Sequence, residues 1–236
     1  MPTLLLVRHG RSTANSSGVL AGWSPGVDLD DEGREQAAAL AARLAAVPLV
    51  RVVSSPLDRC RQTVQPLLAT RPELGGPDLD ERIGECRYGD WTGRPLAELA
   101  KEPLWRTVQD HPSAAVFPGP EGEALAEMSR RAVEAVREWD ARVAEEHGPE
   151  AVWLACAHGD IIKAVVADAL GLHLDLFQRI SADPASVTAI RYTPLRPFLL
   201  RLGDTGDLSS LAPRSVPSHE DARQQSDAVV GGATGA

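Results

Sequence analysis

Lysine is nearly absent: of 24 basic residues only Lys101 and Lys163 are not arginine. Cysteine is scarce, with Cys60, Cys86 and Cys156 at unpaired spacings. An odd, scattered set of this kind excludes a disulfide framework and a cysteine-based zinc site, and no metal-ligand spacing links the histidines. No apolar run approaches the roughly 20 residues that cross a bilayer. Met1 to Val7 is apolar but short, lacks a basic start and runs directly into Arg8 and His9, so it does not read as a signal peptide. The expectation is a cytoplasmic protein without a membrane partner. Net charge is -9 with a pI near 5.2, which excludes nucleic acid held by bulk charge. A small anion in a locally positive pocket stays compatible with that charge.

What is present suits one sizeable core: 236 residues, 43% of them hydrophobic. Short apolar runs at Thr3–Val7 and Ala151–Ala157 read as buried strands, and Val50–Val53 as a further strand. Leu79–Tyr88 reads as a strand or extended segment, and Val187–Tyr192 and Phe198–Leu202 as a closing pair. Between them the spacing predicts helices from Asp30 or Asp31 to about Ala46, from Ser55 and Pro56 onward, over Pro95–Trp105, over Glu123–Glu146 and over Gly159–Leu170. Residues 11–30 and 111–122 read as loops. Strands alternating with helices imply a layered α/β fold with a mainly parallel sheet. Residues 1–203 form one domain in this reading. Residues 204–236, rich in Gly, Ser, Ala, Asp and Gln, form a disordered tail.

In parallel α/β sheets ligands sit beyond the carboxyl ends of the strands. Arg8-His9-Gly10 follows the first strand, Ser54 to Arg61 the second, Glu85 lies near the end of the third, and His158-Gly159 follows the fourth. Four segments thereby converge on one sheet edge with the residue types that phosphoryl transfer requires. Arg8 and Arg59 offer planar forks of donors for phosphate oxygens. His158, if protonated, adds a donor, and the helix start at Gly159 adds a partial positive charge. His9 is the candidate nucleophile, provided it is neutral and a backbone carbonyl fixes its tautomer. Glu85 can protonate a leaving oxygen and then activate water. Arg61 reads as a solvated helix residue, Arg11 more as surface than ligand, and Trp91 equally as pocket wall or packing.

These blocks together resemble the histidine phosphatase, or phosphoglycerate mutase-like, superfamily. The resemblance rests on Leu5-Leu6-Val7-Arg8-His9-Gly10, on Asn15 six residues after His9, and on Asp28 to Ala37. It continues through Ser54 to Thr63, Glu85 with Gly89-Asp90-Trp91-Thr92-Gly93, and His158-Gly159-Asp160. It runs from about Leu4 to Leu202. It implies a three-layer α/β/α sandwich with a mixed, mainly parallel sheet, phosphohistidine chemistry on His9, Glu85 as proton donor, and phosphate bound by Arg8, Asn15, Arg59 and His158, to which the helix start adds Gly159. It implies no cofactor and no metal, a small phosphorylated substrate as partner, and leaves a homodimer open. Two departures stand out: Arg11, where the family often has an acidic residue, and an altered Phe117–Glu123 segment. The Gly89–Gly93 turn looks phosphatase-like, while the block from Asp175 to Val187 looks like a bacterial subgroup labelled phosphomutase. Three readings follow: a phosphatase for a small phosphorylated metabolite, a phosphomutase returning the phosphoryl group to another hydroxyl, or a binding protein that retains the pocket without turnover.

Overall fold

The computed structural model describes residues 2–206. In chain order these form β1 (Thr3–Arg8), α1 (Thr13–Ser16), α2 (Asp31–Arg43), β2 (Leu49–Ser54), α3 (Asp58–Thr70), β3 (Asp78–Leu79) and α4 (Leu96–Leu99). There follow α5 (Pro103–Asp110), α6 (Leu125–His147), β4 (Val152–Ala157), α7 (Gly159–Ala169), β5 (Val187–Tyr192) and β6 (Pro197–Asp204). The sheet order is β3-β2-β4-β1-β5-β6. The first four strands in that order run parallel, while β5 pairs antiparallel with β1 and β6 antiparallel with β5.

Side chains of a strand alternate between faces, and β1 and β4 use both faces for burial. Leu4 and Leu6 join Trp153 and Ala155 in a core with Met128 and Val136 of α6 and Ile161 and Val165 of α7. Leu5 and Val7 join Leu154 and Cys156 in a second core with Leu40 of α2, Leu44 just after it, and Val64 and Leu67 of α3. Strands covered on both faces read as continuous apolar runs, which is why these were visible in the sequence. The product is the expected three-layer α/β/α arrangement.

Register then positions the functional edge. Arg8 pairs with Ala157, and Ser54 pairs with Cys156. The residues that follow, His9, Ser55 and His158, therefore leave three adjacent parallel strands side by side. The His9 amide donates to the Ala157 carbonyl (3.0 Å) and the Ser55 amide to the Cys156 carbonyl (2.9 Å), extending the ladder one step past each strand.

Several expectations need correction. Ser55 does not cap α3; that helix starts at Asp58 after Leu57, which makes no side-chain cap bond. The Ser55 hydroxyl is engaged instead by His158, 103 residues away in sequence, a partner local spacing cannot reveal. The third strand is two residues long, and a 3₁₀ turn at Glu81–Ile83 separates it from Glu85. The expected loop 11–30 contains α1, capped by Ser12 with its own side-chain exchange with Asn15. The helix expected over Pro95–Trp105 is divided into α4 and α5, because Pro103 lacks an amide hydrogen and sits at a helix start. Helix α6 begins at Leu125, and Glu123 pairs with Arg131. The last strand continues to Asp204, where Arg43 donates to its carbonyl (2.7 Å) and carboxylate (2.9 Å). The expected tail beyond residue 206 lies outside the described residues. No helix among the described residues is long and apolar enough to cross a membrane.

The amino end of α2 packs backbone to backbone on the loop after β1. A Cβ on Gly10 would lie 2.7 Å from the Gly33 carbonyl oxygen, and one on Gly33 would lie 1.9 Å from the Arg11 carbonyl oxygen. Overpacking of this kind costs about 1–3 kcal/mol. Gly33→Ala is therefore expected to lower the melting temperature by several degrees in a thermal denaturation scan; an unchanged midpoint would contradict the close approach.

Candidate active site

At the carboxyl edge of the sheet lies a cavity of about 170 Å³. Its buried end is formed by Arg8, His9, Arg59 and Glu85, each no more than 4% exposed. Its outer part has an apolar side of Val19, Leu20, Ala21 and Leu96, with half-buried Arg11 and exposed Asn15 toward solvent. The structure thus brings five of the sequence-predicted residues, Arg8, His9, Asn15, Arg59 and Glu85, to one cavity. His158 is fully buried behind them, with its ring 5.2 Å from that of His9, and does not line the cavity. Gly159 starts α7 and is likewise buried off the cavity wall.

Hydrogen bonding fixes the His9 ring. Its Nδ1 is 2.7 Å from the Gly10 carbonyl oxygen, which can only accept, so Nδ1 carries the hydrogen. The lone pair therefore resides on Nε2, where Arg59 Nε donates to it at 3.3 Å. Burial pushes the His9 pKa well below the usual histidine value, and the Arg59 and Arg8 charges push it further. The imidazole is neutral and its free nitrogen points at the arginine group that marks the anion site. Thr63, one helical turn after Arg59, accepts from the Gly10 amide (2.9 Å) and donates to the Arg59 carbonyl (2.6 Å). This hydroxyl locks the His9 loop to α3.

Arg59 also donates through Nη2 to the Gly22 carbonyl (2.9 Å) and to His158 Nδ1 (3.2 Å). A guanidinium can only donate, so His158 Nδ1 accepts and its Nε2 carries the hydrogen, directed to Ser55 Oγ at 2.8 Å. Burial, then Arg59 and His9, hold the His158 pKa well below the usual value. The protonated donor considered from sequence is thus a neutral ring that braces Arg59. Arg8 Nη1 is anchored on the Ala182 carbonyl (2.7 Å), in the segment leading to β5.

Glu85 is held by its backbone from two directions. Its carbonyl accepts from Trp23 Nε1 (2.6 Å) and Arg131 Nη2 (3.0 Å), while its Oε1 accepts from the Cys86 amide (3.0 Å). Arg131, on α6, uses its remaining donors on the Arg82 and Gly84 carbonyls and the Glu123 carboxylate, clipping the whole acid loop to the helix. Glu85 Oε2 lies 3.8 Å from His158 Nδ1. Its pKa is raised to about 7, first by burial and then by the nearby Asp160 charge, with Arg59 acting in the opposite sense. Asp160 is itself buried, accepts from the Tyr88 hydroxyl at 2.9 Å and lies 3.9 Å from Lys163 Nζ.

Sequence reading missed Trp23, Arg131, Ser55 and the Tyr88–Asp160 pair as supports of the site. Asp160 had a signal, following His158-Gly159 directly; Arg131 and Trp23 had none, since each acts across 46 or more residues. The Gly89–Gly93 turn serves the cavity indirectly. Gly93 donates to the Leu20 carbonyl (2.7 Å) and Leu20 to the Arg94 carbonyl (3.0 Å), which pins the apolar cavity side. Gly89 is required there: its φ is +52°, and a Cβ would lie 1.9 Å from the Pro118 carbonyl oxygen. Trp91 is core, packed against Trp105 and Phe117. All three cysteines are free and buried.

Comparison with known proteins agrees with this geometry. The profile of the histidine phosphatase superfamily (branch 1) matches residues 4–205. Phosphoserine phosphatase 1 of Hydrogenobacter thermophilus is 31% identical over 209 residues, covering 87% of this chain and 93% of the relative. The 2,3-bisphosphoglycerate-dependent phosphoglycerate mutase of Caulobacter vibrioides is 30% identical over 188 residues, covering 70% and 79%. Among solved structures, Bacillus stearothermophilus YhfR superposes with a TM-score of 0.76 at 27% identity, over 86% of this chain and 98% of that one. The chain belongs to branch 1 of the histidine phosphatase superfamily, and it is an enzyme of that family.

Proposed function

We propose that the protein is a phosphatase for a small phosphorylated metabolite, with His9 as the nucleophile and Glu85 as the acid and base. The observation that carries this reading is the neutral His9 ring, its Nδ1 hydrogen given to Gly10 and its Nε2 left toward Arg59. An incoming phosphate dianion takes the Arg59 and Arg8 donors onto its oxygens, and phosphorus comes to face Nε2. Nε2 forms the P–N bond as the ester P–O bond breaks, and the leaving oxygen takes the Glu85 proton. In the second step a water oxygen attacks phosphorus, the Glu85 carboxylate takes the water proton, and the P–N electron pair returns to His9. Asn15 at the rim and His158 behind Arg59 support phosphate binding, the latter by holding Arg59 in place.

The phosphomutase reading uses the same first step. Following free phosphate and positional isomers over a panel of phosphorylated metabolites separates the two: phosphate release supports the phosphatase, isomer without phosphate the mutase. His9→Ala is expected to lower turnover by about 1,000-fold or more. Full activity in that variant would sink the mechanism.

The Glu85 carboxyl must be protonated for the first step. With its pKa raised to about 7, kcat/KM is expected to fall as pH rises through that value. Asp160→Asn removes the negative charge that, with burial, retains the proton. The alkaline limb should then move to lower pH, by less than the whole shift because burial is the larger cause. A pH profile of kcat/KM that stays in place, or moves to higher pH, would contradict the assignment of that limb to Glu85.

A further inference from the structure

The phosphate end of the cavity is cationic, but its outer part is not. Arg11, the one further guanidinium lining the cavity among the described residues, is already held by carboxylates. Its Nε donates to Asp30 Oδ2 at 2.6 Å, and its Nη1 contacts Glu32 Oε2. Asp30 is fixed in turn, since its other oxygen caps α2 by accepting from the Gly33 amide at 2.8 Å. The Arg11 amide is fixed as well, donating to Gln36 Oε1 at 2.8 Å. One cation between two carboxylates gives the cluster a net negative charge, with Arg11 on the cavity wall and Asp30 and Glu32 next to it off the wall. Opposite it lie the hydrocarbon side chains Val19, Leu20, Ala21 and Leu96.

Neighbouring guanidiniums do not reverse the sign. Arg94 pairs with Glu102 at 2.8 Å, and Arg87 stacks on Trp23 at 4.1 Å with Glu81 at 3.9 Å; neither lines the cavity. A substrate phosphate can be matched by Arg8 and Arg59, but a second anionic group at the outer end would find Arg11 as the one cation on that wall, its charge already offset by Asp30 and Glu32, which like Arg94 and Arg87 lie off the wall. Removing an anionic group from water into such a site is unfavourable.

We infer that the substrate is a phosphomonoester of an uncharged, partly apolar alcohol, and that the Arg11–Asp30–Glu32 cluster disfavours esters carrying a second anion such as a carboxylate. This rests on the phosphatase reading. It makes Arg11 a specificity residue held out of service by its partners, and Glu32 the more exposed of the two that hold it.

A matched pair tests it. Glycerol 3-phosphate and 3-phosphoglycerate differ in a hydroxymethyl against a carboxylate. Each is measured as a competitor of p-nitrophenyl phosphate hydrolysis, so that the readout does not depend on either being turned over. Glycerol 3-phosphate is expected to inhibit at about tenfold lower concentration at low salt, with the ratio narrowing as ionic strength rises. Glu32→Gln, which leaves Arg11 balanced by Asp30 alone, should bring the two inhibition constants to within about threefold, chiefly by tightening 3-phosphoglycerate. Its p-nitrophenyl phosphate turnover should match the wild type. Equal or tighter binding of 3-phosphoglycerate by the wild type, or an unchanged ratio in Glu32→Gln, would overturn the inference while leaving the phosphatase reading intact. Absence of p-nitrophenyl phosphate hydrolysis would overturn the phosphatase reading and this inference with it.

Discussion

The Arg59 guanidinium is 1% exposed and donates to His9 Nε2, the Gly22 carbonyl and His158 Nδ1, three neutral acceptors. Burying a cation without bringing an anion to its hydrogen bonds is costly. The fold sustains that cost by fixing all three acceptors from separate elements: the end of β1, the loop before α2 and the end of β4. The same cost becomes binding energy for a phosphate, because a dianion supplies what the neutral acceptors do not. Burial first, and then the positive field that attracts phosphate, keep His9 and His158 unprotonated, so Arg59 contributes both to anion binding and to nucleophilicity.

Glu85 answers the opposite requirement. It must hold a proton beside two guanidiniums that favour its ionised form. Burial and Asp160 outweigh them. Asp160 is itself sustained by Tyr88, which lines the cavity, and by Lys163, which does not, so the acid is set by a second polar layer. Arg131, with its donors spread over three carbonyls and Glu123, supplies the rigidity that a loop lacks.

Most of the sheet was legible in the sequence because β1 and β4 are covered on both faces and read as apolar runs, and β2 departs from that pattern in its interior only at Arg51. The α2 start was legible from Asp30, a cap that acts within three residues. Arg8, His9, Arg59 and Glu85 were legible because three sit within a few residues of strand ends and all stand in blocks that resemble one family. What escaped was non-local. Ser55 reads as a helix cap until His158 is folded against it. The extended segment before Glu85 reads as a strand, yet β3 stops after Leu79 and the chain is captured by Arg131 of α6. The neutral state of His158 depends on Arg59 and burial together, neither of which a motif reports. Arg11 read as a surface residue; its meaning lies in Asp30 and Glu32, which bind it.

The central claim is that His9, neutral and aimed through Nε2, receives the phosphoryl group. Its most direct test is rapid quench of the protein with a hydrolysable phosphomonoester, followed by mass spectrometry of the intact chain and of its peptides. The account requires one phosphoryl group per chain on the peptide containing His9, stable in alkali, lost in acid, and absent from His9→Ala. Turnover with no such adduct, or an adduct mapped to another residue, would contradict it.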